Sequence, residues 1–177
     1  RDPFWWYERD ESVKDLLTAI ESMGEAVVQP LIEALDDREG AVRKFAAMVL
    51  GNMKDIRAIE ELGMTVYDLH HEVSRAAAEA LAKFGGPAVG LLSEALTHPE
   101  AAVREHAVLG LGRIQDVRVA LLLIEMLGDP ERIVRKQVVG ALGQLQDERA
   151  FSALKEIAAN RSDREMSMLA KEMIAKL

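Results

Sequence analysis

Val42-Arg43-Lys44-Phe45-Ala46-Ala47-Met48-Val49-Leu50-Gly51 is the stretch that decides the fold, because the chain repeats it. The pattern returns at 103–112 and 134–143, with a looser copy at 73–82. The anchoring apolar residues, which lie 31, 30, 31 and 32 residues apart, are Leu50, Leu81, Leu111, Leu142 and Ile174. A period of this length indicates a stack of similar structural units.

A second apolar segment precedes each copy. Its central positions are Leu31, Leu62, Leu92 and Leu123. Each has apolar neighbours three residues before and four residues after it, a spacing that places all of them on one face of a helix. Turn-forming residues such as Asp36-Asp37 and Gly128-Asp129-Pro130 separate the two segments. Each unit is therefore predicted to contain two helices, A and B, joined by short turns.

A single A/B pair cannot bury its apolar face, so successive pairs must share one continuous core. The sequence predicts an all-α fold, a right-handed, curved α-solenoid of about five pairs preceded by a lone B helix, which makes eleven helices. The predicted segments are an N-terminal aromatic segment at 1–11 and a repeat domain at 12–177. That domain divides into a half repeat at 12–24 and repeats at about 25–53, 54–84, 85–114, 115–145 and 146–177.

Composition limits the classes of partner. The formal net charge of −8 repels nucleic acid phosphates, so we expect no nucleic acid partner. The absence of cysteine is compatible with the cytoplasm, which is the expected location. Apolar stretches such as 119–124 are far shorter than a membrane span, so no membrane partner is expected.

The repeated residues resemble the short HEAT-like repeats of phycobilisome bilin lyases and of many bacterial and archaeal proteins. The resemblance covers residues 10–177 and is carried by Ala-Val-x-x-Leu-x-x-Ala-Leu in helix A, as at 88–96, and by Val-Arg-x-x-Ala and Leu-Gly in helix B. It implies the solenoid fold. It does not imply one activity, because the class includes scaffolds, lyases and hydroxylases.

The resemblance also implies a structural ladder of Asp and Arg residues that links each A–B turn to its helix B. An Asp precedes an Arg by six residues in Asp37/Arg43 and in Asp129/Arg135, and Arg104 occupies the same Arg position in repeat three. Repeat two has Ser74 at the Arg position, and repeat three has His98 at the Asp position. We therefore expect an incomplete ladder.

Candidate residues for catalysis are few. Four histidines, His70, His71, His98 and His106, are the possible metal ligands or bases, but exposed turn histidines are common and a metal site needs three or four convergent ligands. Deoxyhypusine hydroxylase resembles this chain in fold class and carries His-Glu pairs in several of its B helices. The equivalent pairs of this chain are not His-Glu, and they lie at 44–45, 75–76, 105–106 and 136–137. We expect no catalytic residue, no metal and no cofactor.

The glycines at the helix ends are interpreted as residues in the left-handed conformation that terminates a helix.

The B helices of such stacks line the concave side. The residues predicted to contact a partner there are Lys44, Phe45, Met48, Arg75, His106, Leu109, Arg113, Lys136 and Gln137. Sixteen outward positions of the B helices include five cations and two carboxylates, which reverses the sign of the whole chain. The apolar members, however, are equally compatible with packing between adjacent B helices.

The predicted function is a non-catalytic scaffold for a protein or a peptide, acidic or amphipathic, bound on the concave face. A bilin-lyase-like subunit is the alternative, followed by a HEAT-like metalloenzyme. The aromatic cluster Phe4-Trp5-Trp6-Tyr7 is interpreted as a cap over the first helix or as a surface for self-association.

Overall fold

The computed structural model describes residues 11–145, 147–160 and 162–176. These residues form eleven α-helices and no β-strand, so the predicted all-α solenoid with eleven helices is confirmed. The B helices are α1 (Glu11–Ser22), α3 (Gly40–Met53), α5 (His71–Ala82), α7 (Ala101–Leu111), α9 (Arg132–Leu142) and α11 (Arg164–Ile174). The A helices are α2 (Val28–Ala34), α4 (Ile59–Thr65), α6 (Val89–Ala95), α8 (Val119–Glu125) and α10 (Glu148–Ala159).

The core is one continuous layer between the A and B helices. The repeated leucines fill it, and Leu50, Leu81, Leu111 and Leu142 have no measurable exposure. The A-helix leucines Leu62, Leu92 and Leu123 meet them from the other side and are equally buried. Each helix pair, of about 31 residues, therefore buries its apolar stripe only by stacking on the next pair.

The Leu-Gly pair at the end of helix B exists because successive B helices pack closely. A Cβ added at Gly51 would lie 2.6 Å from Cβ of Ala80 on the next B helix, and one at Gly112 would lie 2.5 Å from Cβ of Ala141. The left-handed interpretation of these glycines is wrong, because among the described glycines only Gly24 and Gly85 have positive φ. The small side chain, not backbone freedom, is what these positions require.

Each A–B turn is closed by the residue at the Asp position of the repeat. Asp37, Asp68 and Asp129 each accept a hydrogen bond from the amide two residues further on, at 2.7–2.8 Å. His98 and Asn160 use a ring nitrogen and an amide oxygen in the same way. The turns therefore share one local geometry although their sequences differ.

The opposite edge of the stack carries a second recurrent motif, Asp-x-Arg, between one repeat and the next. Asp116 accepts from Nε and Nη2 of Arg118, whose Nη2 also donates to the carbonyl oxygen of Gly86 one repeat earlier at 3.0 Å. Arg149 does the same with Asp147 and with the carbonyl oxygen of Val117. These hydrogen bonds from arginine lower the pKa of Asp116 and of Asp147 to about 2. The motif ties successive repeats together at this edge.

The aromatic cluster at 4–7 lies outside the described residues, and so does most of the predicted N-terminal segment at 1–11. None of the helices in the described part of the chain combines the length and the apolar character that crossing a membrane would require.

Candidate functional site

Arginines of the B helices bind aspartates of the following repeat. Nε of Arg43 in repeat one lies 2.6 Å from Oδ2 of Asp68 in repeat two. Arg104 of repeat three binds Asp129 of repeat four through Nε and Nη2 at 2.7 and 3.0 Å, and these two side chains are only 10% and 3% exposed. Such bidentate geometry fixes both position and angle between neighbouring repeats.

These aspartates remain ionised because hydrogen bonds from the arginines stabilise their charged form. The guanidinium of Arg104 lowers the pKa of the Asp129 carboxyl. Burial raises the pKa of Asp68, but hydrogen bonds from Arg43 and from the amide of His70 outweigh this effect, and the pKa lies below its ordinary value. The ladder therefore consists of partly or fully buried ion pairs.

The structure corrects the predicted pairing inside a repeat. Nη1 of Arg43 donates to the carbonyl oxygens of Asp37 and Arg38, and Nη1 of Arg135 donates to those of Asp129 and Pro130. Arg104 makes the same two bonds to its own turn, which is why His98 at the Asp position does not disturb it. Each of the three arginines therefore holds its own turn through carbonyl oxygens, and the carboxylate partners of Arg43 and Arg104 belong to the next repeat.

The junction between repeats two and three lacks both members of this pair, and a buried polar chain is found there. Oγ of Ser74 donates to the carbonyl oxygen of Val66 at 2.5 Å and lies 2.8 Å from Nδ1 of His106. Nε2 of His106 lies 3.1 Å from Nε2 of His71. Because the Ser74 hydrogen is used for Val66, Nδ1–H of His106 donates to Oγ, and Nε2 of His106 accepts from Nε2–H of His71.

His106 is the site prediction that the structure corrects most clearly. It is 2% exposed, because its ring packs from α7 against Ser74 and His71 of α5, and it cannot contact a ligand on the surface. Burial, together with the charges of His71 and Arg75, lowers its pKa to about 4. His106 is therefore a neutral core histidine. No group of three or more potential metal ligands converges anywhere in the described chain.

The predicted cations lie on the B helices, except that Arg113 lies two residues after α7, and each contacts a carboxylate. Lys44 binds Glu72 at 3.1 Å, Arg113 binds Glu79 at 3.2 Å, and Lys136 binds Glu165, in each case between two successive repeats. Arg75 pairs with Glu79 on its own helix. The predicted excess of cations came from a count that did not include Glu72 and Glu165. The face therefore carries a more balanced charge than the sequence indicated.

The apolar residues of the same face are only partly exposed. Phe45 and Met48 pack against the core, and Leu109 is half-buried. Gln137 on α9 is also half-buried, while Glu105 is buried enough that its pKa is raised. We use the name B face for the surface formed by these residues and by the ion pairs beside them.

Sequence reasoning missed two sets of structural residues. Asp68 was not assigned to the ladder, although Asp68 and Asp129 both lie 25 residues after an arginine of the Val-Arg motif. The Asp-x-Arg motif was not recognised, although it recurs at 55–57, 116–118 and 147–149. Both sets make contacts between repeats, which the pattern within one repeat does not reveal.

Comparison with solved structures places this arrangement among helical repeat proteins. The phycocyanin lyase complex of CpcE and CpcF from Nostoc aligns with a TM-score of 0.62 and 23% identity, covering 85% of this chain and 65% of that chain. An engineered protein aligns with a TM-score of 0.57 and 20% identity over 90% of this chain and 84% of that one. A designed armadillo repeat protein in complex with the peptide (KR)4 gives 0.52 and 20%, over 93% and 92%.

No curated protein matches the sequence significantly. The family model for HEAT repeats matches residues 28–90 and 88–175, which together include α2 to α11. The chain spans 65% of the length of the Nostoc lyase chain, so the likeness concerns the repeat array. The stacked pairs, the shared core and this match together show that the chain belongs to the HEAT repeat family.

Proposed function

We propose that this HEAT repeat array is a non-catalytic scaffold that binds a protein or a peptide along the B face. The observation that carries the proposal is the row of charged side chains that crosses from one B helix to the next, from Lys44 on α3 to Glu165 on α11. Solenoids present such rows as extended surfaces that follow a polypeptide over several repeats. Designed repeat proteins with similar folds, such as the one in complex with (KR)4, bind peptides.

The expected partner is acidic or amphipathic. Arg75, Arg113 and Lys136 retain more than a third of their side-chain surface exposed despite their ion pairs. Acidic side chains of a ligand can compete for these cations, while half-buried apolar residues such as Leu109 supply contact area. Because the charge of the B face is balanced, we expect these pairs to orient the bound ligand more than they attract it.

The test is capture of ligands from source-cell lysate by the immobilised chain and by a variant with Arg75→Glu, Arg113→Glu and Lys136→Glu. A control variant with Arg38→Glu, Lys54→Glu and Lys155→Glu makes the same change in net charge away from the B face. An acidic protein retained by the chain and by the control, but lost by the B-face variant, supports the proposal. A partner retained by all three contradicts it.

Retention of a tetrapyrrole or of a metal, with no polypeptide, would instead favour the bilin-lyase-like subunit or the HEAT-like metalloenzyme. The proposal also includes self-association through Phe4 to Tyr7, the predicted limits of the repeats and a cytoplasmic location. Sedimentation velocity on a chain with Trp5→Ser and Trp6→Ser tests the first of them, since loss of a dimer is the expected result.

A further inference from the structure

A second surface of this molecule, in repeat two, departs from the pattern of repeats one, three and four. Three side chains of repeat two, Met64, Tyr67 and Leu69, are 70%, 36% and 92% exposed. Single exposed apolar residues are ordinary on a protein surface. These three, however, line one open groove of about 510 Å³ between the A–B turns of repeats one and two. We call it the edge groove.

The other repeats show what these positions normally carry. Met64 follows the A-helix leucine by two residues, and the equivalent positions in repeats one, three and four are Glu33, Glu94 and Glu125. The counterparts of Tyr67 are Asp36, Thr97 and Gly128, and those of Leu69 are Arg38, Pro99 and Pro130. Folding does not require apolar side chains at these positions, because three other copies form the same turn without them.

Two further apolar residues continue the surface inwards. Ile32 of α2 is half-buried, and Leu35, just after α2, is buried at the base of the groove. Contiguous apolar surface of this kind marks a binding site more often than scattered residues do. On the far side, the Tyr67 ring lies 5.4 Å from the ring of His98, which holds one wall of the groove in place.

The charges around the groove are mostly negative. Four carboxylates line it, Asp36, Asp37, Glu61 and Asp68, against the single guanidinium of Arg43. Arg43 is already bound to Asp68, and neither Asp36 nor Glu61 forms an ion pair with any residue that the structure describes. The uncompensated charge at the rim is therefore negative.

We propose that the edge groove binds a basic amphipathic segment of a partner protein, with an apolar side chain among Met64, Tyr67 and Leu69 and with Arg or Lys at the acidic rim. This surface lies at the A–B turns and is distinct from the B face. A second copy of the chain fits less well, because its net charge of −8 would bring carboxylates to an acidic rim. The apolar contacts provide affinity and the rim sets specificity.

The probe is a fluorescein-labelled twelve-residue peptide with alternating Leu and Arg or Lys, measured with the full chain by fluorescence anisotropy at low and at moderate salt. Two further peptides separate the contributions: one with Glu for each basic residue, and one with Ser for each Leu. The proposal requires tight binding of the first peptide only. Equal binding of the acidic peptide or of the peptide without Leu would overturn it.

Two variants locate the site, and a third is the control. Met64→Gln, Tyr67→Thr and Leu69→Ser together replace the exposed apolar side chains, and Asp36→Asn with Glu61→Gln removes two of the four carboxylates at the rim. Each of these two variants should weaken binding roughly tenfold or more, and the rim variant should also reduce the salt dependence. The control, Val117→Ser with Leu121→Gln, removes two exposed apolar residues of repeat four and should leave binding unchanged.

Because all five groove residues replaced are solvent-accessible or at the rim, thermal unfolding of these variants should match that of the native chain. If the apolar triple variant binds the basic peptide as well as the native chain does, the edge groove is not the site. If that variant instead turns a dimer into a monomer in sedimentation velocity, the occupant is a second copy and the proposed basic partner is wrong.

Discussion

Oγ of Ser74 and Nδ1 of His106 lie 2.8 Å apart inside the junction of repeats two and three. The junction of repeats one and two and that of repeats three and four contain an arginine–aspartate ion pair instead. The two kinds of junction respond differently to pH. An ion pair such as Arg104 with Asp129 is already charged at neutral pH, whereas the histidine is buried in its neutral form.

We expect the protein to lose stability as the pH falls from about 6.5 to about 4. His106 has a pKa of about 4 in the folded chain against an ordinary value of 6.5, so in this window the unfolded chain binds a proton that the folded chain does not. The charged or titratable groups that act on it are His71 and Arg75, both of α5. The contribution lost is on the order of 3 kcal/mol.

Urea unfolding between pH 4 and pH 7.5 measures this effect. The matched variant is His106→Gln, which places at this position the residue that repeat four carries as Gln137. Its stability should vary much less across the window than that of the native chain. An equal pH dependence in both proteins would show that His106 does not report this linkage.

Replacing Arg104 by Met should destabilise the chain by about 3 kcal/mol or more, because Asp129 would remain buried without its partner. Arg135→Met is the control. Arg135 makes the same two bonds to carbonyl oxygens of its own turn, but it forms no ion pair with any residue in the described ranges. The difference between the two variants in urea unfolding isolates the buried carboxylate. Similar losses in both would assign the effect to the carbonyl contacts alone.

Gly112→Ala should lower the free energy of unfolding, whereas Gly140→Ala should raise it by about 0.5–1 kcal/mol. Gly140 lies inside α9 and Gly112 directly follows α7, and neither has a positive φ, so the backbone accepts alanine at both positions. At Gly112 the new Cβ would collide with Ala141, while at Gly140 nothing lies within 4 Å. Thermal unfolding of the two variants separates packing from propensity, and stabilisation of both would contradict the close B-helix contact.

Lys54→Gly should stabilise the chain by about 0.5–1 kcal/mol. Lys54 ends α3 in the left-handed region with φ 54°, and the residue four after the anchoring leucine of repeat two is Gly85, with φ 69°. Gly85→Ala should be destabilising, because Gly85 lies at φ 69° and ψ −135°, a region that residues other than glycine rarely adopt. A Cβ there would contact nothing within 4 Å, so the cost comes from the backbone conformation alone. Chemical denaturation checks both signs, and a neutral Gly85→Ala would remove the argument.

Periodicity determined the fold from the sequence alone. Leucines recurring every 31 residues, such as Leu50 and Leu81, leave an amphipathic helix pair no other way to bury its apolar stripe than to stack on a copy of itself. The sequence therefore predicted the helices, their number and the core. These are local consequences of spacing within one repeat.

Only the tertiary structure decided which residues of neighbouring repeats meet. Asp68 pairs with Arg43, Glu72 with Lys44, and His106 is buried under His71, in each case across 25 to 35 residues of chain. A helical period places a side chain on a face of its own helix, but the distance and angle of the next helix decide whether that face is open or covered. Contacts between repeats, and with them the charge of the B face and the shape of the edge groove, follow from that packing.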